Sequence, residues 1–480
     1  MLFAIFLVKE PVMKYLVATV FTLLYLGLAA QDVKWGRPHQ KPDKNLHISQ
    51  VIGKTSAGIF TLLTDMRDPA ILPPVLQCFN AELKLERQVP LRLHFDWGDL
   101  KLETAVILKD RLHLLLSLED PALNKLRLYT QEIDPQSLVA YRAPRPIYEI
   151  NWEQGVFDAS IGYKLSEDRS KLLIYNRFPN AANNSSRKWL MLCDESLMPL
   201  WSIEPKFPWK ASVVHLMDYE VNNNGEVIVL ATHREKENPD PQYAILSYQE
   251  YGRKLKWYDF NLGAANPHQI AIQLNQAGQL YCGGLLGNRE NETNGAFAIA
   301  IELNTGRVQT HIHSFSAEDL QSLEGAPKRL PDYQLRALHV EANGSISIVA
   351  EQFLPPFRGN DQRYYGQVLL IAYAADLSTR KLFSLNKNQV SFDQGYFDSF
   401  AFLAKDEQYL LLYNDKSKTP MRKACFNSKG AQNTPLEYSG TEKIKVCPRN
   451  CAALSNQELW IYAETADKKH YQVGLLGFQN

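Results

Sequence analysis

Eight copies of one hairpin signature, a chain end that stops one strand short of a complete unit, and a free run of residues ahead of the first copy predict the fold class. It is all-β: a β-propeller of eight blades, with seven as the alternative, whose ring is closed by an N-terminal strand. Residues 31–480 then form a single domain, although 480 residues would ordinarily suggest several.

Each copy is an alternating run, a polar turn and a continuous apolar run, which is strand behaviour. Val51-Ile52 turns through Ser56-Ala57-Gly58 into Ile59–Leu63, and Ala105–Leu108 turns at Lys109-Asp110 into Leu112–Leu116. Ile161–Leu165 turns at Glu167-Asp168 into Leu172–Tyr175, and Tyr219–Val221 turns at Asn223-Asn224-Gly225 into Val227–Leu230. Later copies turn at Gln276-Ala277-Gly278, Asn343-Gly344, Lys405-Asp406 and Asn456-Gln457. Gly, Asn and Asp at these bends supply the positive φ a tight hairpin needs. Successive turns lie about 57 residues apart, somewhat more than the usual blade period. A second hairpin follows each first one, as at Leu76–Asn80, Leu190–Asp194 and Ala424–Asn427, giving four strands per period.

The last apolar run, Gly474–Phe478, is the third strand of the eighth unit, so residues 32–47 are expected to supply the fourth. Pro38 and Pro42 are tolerable there because an outermost strand is an edge. Two sandwiches or an open array are the competing architectures. An outer-membrane barrel fits poorly, because runs such as Leu112–Leu116 are too short and too continuous.

Ahead of the repeat, Met13-Lys14, the apolar stretch Tyr15–Leu26 and Gly27-Leu28-Ala29-Ala30 have the layout of a secretory signal peptide over residues 1–30, with Met13 a possible true start. An uncleaved anchor is the alternative. The expected location is therefore outside the inner membrane: periplasmic, outer-membrane-associated or extracellular, with no integral span after cleavage. Cys78, Cys193 and Cys425 recur at similar places in the repeat and read as buried thiols in separate blades, whereas Cys447 and Cys451 are near enough to pair.

Basic and acidic residues balance at 52 each, with no basic tail or stripe, which disfavours nucleic acid as a partner. No Gly-x-Ser-x-Gly elbow, His-Glu-x-x-His zinc helix or acidic calcium loop is present, and no cofactor or metal is expected. His311 and His313 point the same way on one strand but lack a third ligand.

One motif occurs twice between blades. Trp152-Glu153-Gln154-Gly155-Val156-Phe157-Asp158 matches Phe392-Asp393-Gln394-Gly395-Tyr396-Phe397-Asp398, each copy entering the innermost strand of its blade, the third and the seventh. Phe95-Asp96-Trp97-Gly98-Asp99 is a looser relative. As ligand clamps, Trp152, Glu153, Gln154, Asp158, Phe392, Asp393, Gln394 and Asp398 would offer stacking faces and acceptors to a protein, peptide or glycan. As interblade staples, the same residues would pack and cap. Arg363 and Tyr364, in the polar loop from Arg358 to Tyr365, are further candidates for a carboxylate or glycan contact. The long second-to-third loops favour their own face of the ring for binding.

The stretches Leu165-Ser166-Glu167-Asp168-Arg169-Ser170-Lys171-Leu172-Leu173-Ile174-Tyr175 and Phe402–Leu411 carry a serine or alanine, an acidic turn and a Leu-rich strand. On these residues the chain resembles WD-like propellers of periplasmic Tol-type proteins, and more generally exported propellers of Bacteroidetes-type bacteria, although the usual Pro-Asp-Gly turn is absent. The resemblance implies an exported propeller and no particular functional residue. The expected function is a binding or scaffold module for a cell-envelope or extracellular protein, peptide or glycan. A hydrolase or lyase acting on a saccharide at the channel mouth is the alternative.

Overall fold

The computed structural model describes residues 33–478 except 66, 69–70, 152–159, 178–187, 211–212, 235–240, 261, 263–266, 289–291, 357–361, 379, 392–394, 416–420, 428–429, 436–442 and 466. Eight antiparallel sheets stand around one axis as the blades of a propeller. Their innermost strands are Leu46–Thr55, Lys101–Leu108, Ser160–Leu165, Val214–Val221, Pro267–Leu274, Tyr333–Val340, Ala401–Lys405 and, in two pieces, Ile444–Val446 with Ala452–Ala453. Each blade runs outward in chain order from that strand, except the eighth.

The eighth blade is completed from the other end of the chain, as the strand count predicts. Lys34 and Trp35 pair with Leu475 and Gly474, and His39 and Gln40 pair with Tyr471 and His470. Gly36 N–H donates to Val473 O at 2.9 Å, and Lys41 N–H to Lys469 O at 2.9 Å. The hydrophobic core is divided among the blade interfaces. Phe60 and Cys78 of blade 1 pack with Ile107 and Leu114 of blade 2, and Trp460 and Tyr462 of blade 8 pack with Ile48 and Phe79 of blade 1. Cys78 and Cys193 are buried thiols in the third strands of their blades, and Cys447 and Cys451 stand as separate thiols.

The innermost strands share one irregularity. In blades 1, 2, 4, 5 and 6 the pairing to the second strand skips a residue at the same place: Ser49, Glu103, Met217, His268 and Arg336. Such a bulge twists the strand and re-aims the side chain that follows. In blades 1, 4 and 5 the side chain of the next residue then bonds across to the neighbouring blade. Gln50 Nε2 donates to Ala105 O at 2.7 Å, Ile272 N–H donates to Asp218 Oδ2 at 2.9 Å, and Gln269 Nε2 donates to Tyr333 O at 3.3 Å. Blades 3 and 7, whose innermost strands follow the repeated motif, have short inner strands with no register shift. In blade 8 the strand is interrupted by a 3-10 turn, Pro448–Asn450.

The seam is held by a buried carboxylate. Glu464 of the second strand of blade 8 lies 2.8 Å from Lys41 and 2.8 Å from His47 Nδ1; the Glu464 and Lys41 side chains are wholly buried. The Tyr396 hydroxyl donates to the same oxygen at 2.9 Å, and Tyr462 adds a further donor. Burial pushes the Glu464 carboxyl up, yet the His47 hydrogen bond and the Lys41 charge outweigh it, and its pKa lies below the ordinary 4.5. A depressed carboxyl contributes stability that is present above its unfolded pKa and lost as pH falls through its folded one. Glu464→Gln leaves Lys41 buried without a counter-charge and is expected to cost about 3–5 kcal/mol. Urea unfolding at pH 7 measures this loss, and the acid-side loss of stability in the wild type should shrink in the variant. Unchanged unfolding at neutral pH would contradict the role assigned to this clamp.

Candidate functional site

Among the described residues, the two most voluminous of the cavities found lie at opposite faces of the ring. The larger, about 670 Å³, opens among the tight first-to-second turns of blades 3, 4 and 5. Its wall comes from innermost strands: Lys164 of blade 3, Asp218 and Glu220 of blade 4, Gln273 of blade 5 and Leu338 of blade 6. Asn222–Asn224 and Asn275–Gly278 form the rim.

Local structure sets these groups in place. Asp218 and Glu220 are two residues apart on one strand, so they share a face. The bulge at Met217 directs Asp218 to the backbone of blade 5, where Oδ2 accepts from Ile272. Oδ1 accepts from Tyr219 N–H at 2.9 Å. Asp218 is thus a fixed wall. Glu220 has a single ionic partner, Lys164 Nζ at 2.7 Å, and its other oxygen has no hydrogen bond among the described residues. Tyr175 and Tyr219 stack beneath, ring centroids 3.7 Å apart. A Cβ on Gly162 would collide with the Tyr175 ring, so that close approach requires glycine.

Glu220 is almost fully buried. Burial pushes its carboxyl up to about 7, with Lys164 pulling down and Asp218 adding upward. Lys164 is opposed by burial, but the Glu220 charge prevails and its pKa is raised. The pair offers a cavity an acceptor oxygen, an ammonium and a proton that exchanges near neutrality.

The second cavity, about 650 Å³, lies on the long-loop face between blades 6 and 7 and is lined by Glu324, Gln352, Tyr364, Gln367, Lys387 and Asp415 among others. Tyr364, predicted from sequence, faces this space. Arg363 pairs in register with Ser391, so both begin a strand where a loop was expected. Lys387 lies 2.5 Å from Glu351, both side chains essentially buried; burial lowers the Lys387 pKa, against the opposing pull of the Glu351 and Asp398 charges. Glu351 also accepts from Arg336 and from Ser399 Oγ, each at 2.8 Å.

Of the repeated motif, Trp152, Glu153, Gln154 and Asp158 of the first copy, and Phe392, Asp393 and Gln394 of the second, lie outside the described residues. The remainder of the second copy does interblade work. Gly395 has φ +79° and donates to Ser391 Oγ at 2.8 Å. Tyr396 reaches Glu464 of blade 8, and the Phe397 carbonyl accepts from Asn414 of blade 7 at 2.6 Å. The looser relative is a small hairpin whose Trp97 stacks on Phe95 at 5.3 Å and leans on Tyr129, while about half exposed. His313 is bonded to Asp319 at 3.0 Å, and among the described residues no three His, Cys, Asp or Glu side chains gather as a metal site. No helix among the described residues is long and apolar enough to cross a membrane.

Sequence reasoning passed over Lys164, Asp218 and Glu220. The available signal was the alternation of acids with Tyr219 and Val221 on a strand that lines the channel. For Glu220, a raised carboxyl favours folding below its unfolded pKa, and this contribution is lost as pH rises from about 4.5 toward 7. A carboxyl-carbon NMR titration should therefore show Glu220 with a midpoint near 7, moving higher in Lys164→Met. A midpoint near 4.5 in the wild type would contradict the burial argument.

No protein-family model and no curated protein matches the chain. Among solved structures it is similar to polysaccharide lyase Uly1, at 8% identity over 81% of this chain and 93% of that one, TM-score 0.39. It is similar to the β-propeller domain of the Trilobed protease from Pyrococcus furiosus, at 9% identity over 79% and 94%, TM-score 0.38. It is also similar to the Dos1 propeller, at 10% identity over 92% and 83%, TM-score 0.36. At such values the likeness concerns the shape of the chain and carries no ligand or reaction across.

Proposed function

We propose that the chain is an exported propeller that works as a binding module, taking a hydroxyl- or amine-bearing group of a cell-envelope peptide or glycan at the tight-turn mouth of its channel. The observation that carries this is Glu220: buried, paired with Lys164 on one side only, and set in a cavity whose other polar side chains are the acids Glu167 and Asp218 and a set of amides, among apolar residues such as Leu165, Ile272 and Leu338. Acceptors outnumber cations there, so a donor-rich ligand is the natural complement. Export is proposed from the apolar stretch Tyr15–Leu26 with the small residues after it.

The near-neutral proton on Glu220 favours one second reading, acid–base cleavage of a saccharide in the same cavity. One pair of assays separates the two. Calorimetric titration with glucosamine oligomers and with a tri-lysine peptide should show binding of one class, weakened about tenfold or more in Glu220→Gln with little change in melting. Incubation with a panel of polysaccharides should release no reducing or unsaturated ends. Product that disappears in Glu220→Gln would replace the module by an enzyme, and no binding of either probe class would remove the proposal. For the location, an epitope-tagged chain should fractionate outside the cytoplasm and lose about 2 kDa or more on export, the mass of some twenty residues.

A further inference from the structure

Arg169 stands at the first-to-second turn of blade 3 with φ +54°. The guanidinium crosses the neighbouring blade and ends against Gly53 and Ile107, on the innermost strands of blades 1 and 2. A Cβ on Gly53 would sit 2.5 Å from Arg169 Nη1, so the space for the guanidinium exists because residue 53 has no side chain. Gly53 also holds φ +145°, which a larger residue adopts only under strain.

Arg169 is half-buried, yet no carboxylate and no hydrogen-bond acceptor meets it among the described residues. Burial alone lowers its pKa, with no charge offsetting it. Asp168 beside it and Glu458 opposite Lys54, the neighbour of Gly53, are engaged elsewhere. Asp168 of the same turn lies 3.2 Å from Lys109 and accepts from Ser170 N–H at 2.9 Å. Glu458, across the blade 1–blade 8 junction, faces Lys54 at 3.8 Å. A partly buried guanidinium costs free energy unless its donors are met, as Glu132 meets Arg111 and Glu351 meets Arg336 elsewhere in this fold.

We infer that Arg169 is an oxyanion-binding residue, holding a carboxylate, sulfate or phosphate group of a ligand at the junction of blades 1, 2 and 3. The fork of N–H donors suits two parallel bonds to one such group. It stands whether or not the Glu220 cavity holds a ligand, because it rests on different residues.

The test is calorimetric and thermal titration of the full chain with sodium acetate, glucuronate, sulfate and inorganic phosphate at constant ionic strength. At least one probe should bind and raise the melting temperature in proportion to its saturation. Arg169→Gln should weaken that probe tenfold or more while melting no lower than the wild type in its absence, since an unmet charge is removed. Arg169→Lys should retain part of the affinity for a tetrahedral anion and lose more for a planar carboxylate. Glu220→Gln should leave the anion response intact, which separates this site from the other cavity. Equal responses of wild type and Arg169→Gln to all four probes, or a sharp loss of stability in Arg169→Gln with no anion bound, would overturn the assignment.

Discussion

A ring of eight sheets has one seam, and everything that lines its channel depends on that seam holding. Main-chain pairing at the seam is sparse: two residues at Lys34–Trp35, two at His39–Gln40, and a few bonds between them. The added strength is electrostatic. One carboxylate, Glu464, collects Lys41 and His47 from the N-terminal stretch and the first blade, Tyr396 from the link into blade 7, and Tyr462 from its own strand. A buried charge that serves four partners from four segments is costly to leave unmet and cheap to keep only when all are present. The cluster therefore specifies the closed ring against an open one, because slipping the N-terminal strand strands a lysine and a glutamate in the interior.

The same arrangement recurs two blades away. Glu351 occupies the second strand of blade 6 as Glu464 does that of blade 8, and it too is met by a buried lysine, Lys387, with Arg336 and Ser399 completing the set. Between them, Asn414 of blade 7 bonds to the Phe397 and Val446 carbonyls, each at 2.6 Å. These three positions, reading Glu, Asn and Glu, tie blades 6, 7 and 8 on the long-loop side. The described half of the second repeated motif is woven into that network, with Tyr396 on Glu464 and Asp398 beside Lys387. Rigidity on that face contrasts with the open acceptor at Glu220 on the other.

The architecture was legible because hairpins are local. The bends at Asn223-Asn224-Gly225 and Asn343-Gly344 announce themselves through residues that tolerate positive φ, and counting strands to Phe478 exposed the missing one. The candidate site was less legible for a physical reason. Which inner-strand residue faces the channel, and which bridges to the next blade, is decided by bulges at Ser49, Glu103, Met217, His268 and Arg336, and a bulge leaves no reliable trace in alternation. The polar residues before Arg363 and Tyr364 suggest a loop; in the fold the two begin a strand paired with Gln389–Ser391. Arg169 was hidden more deeply, since its surroundings at Gly53 and Ile107 belong to two other blades.

The tight-turn mouth thus has two chemically different sides. Blade 4 presents two carboxylates, one fixed by backbone donors and one whose second oxygen has no hydrogen bond among the described residues; blades 1 and 2 receive a guanidinium that meets no acceptor among the described residues. Within a protein these groups would neutralise each other if the fold allowed contact, for an arginine and a glutamate on adjoining strands gain more by pairing than by standing apart. Here the Arg169 side chain is instead drawn toward blade 1 by the room at Gly53, while Glu220 is turned to Lys164. The tight-turn end of the ring is therefore electrostatically uneven, with acceptors on blade 4 and the donor fork of Arg169 against Gly53. That separation of charge is what these side chains add to the propeller scaffold, and chemistry follows from such placement and not from the shape of the fold.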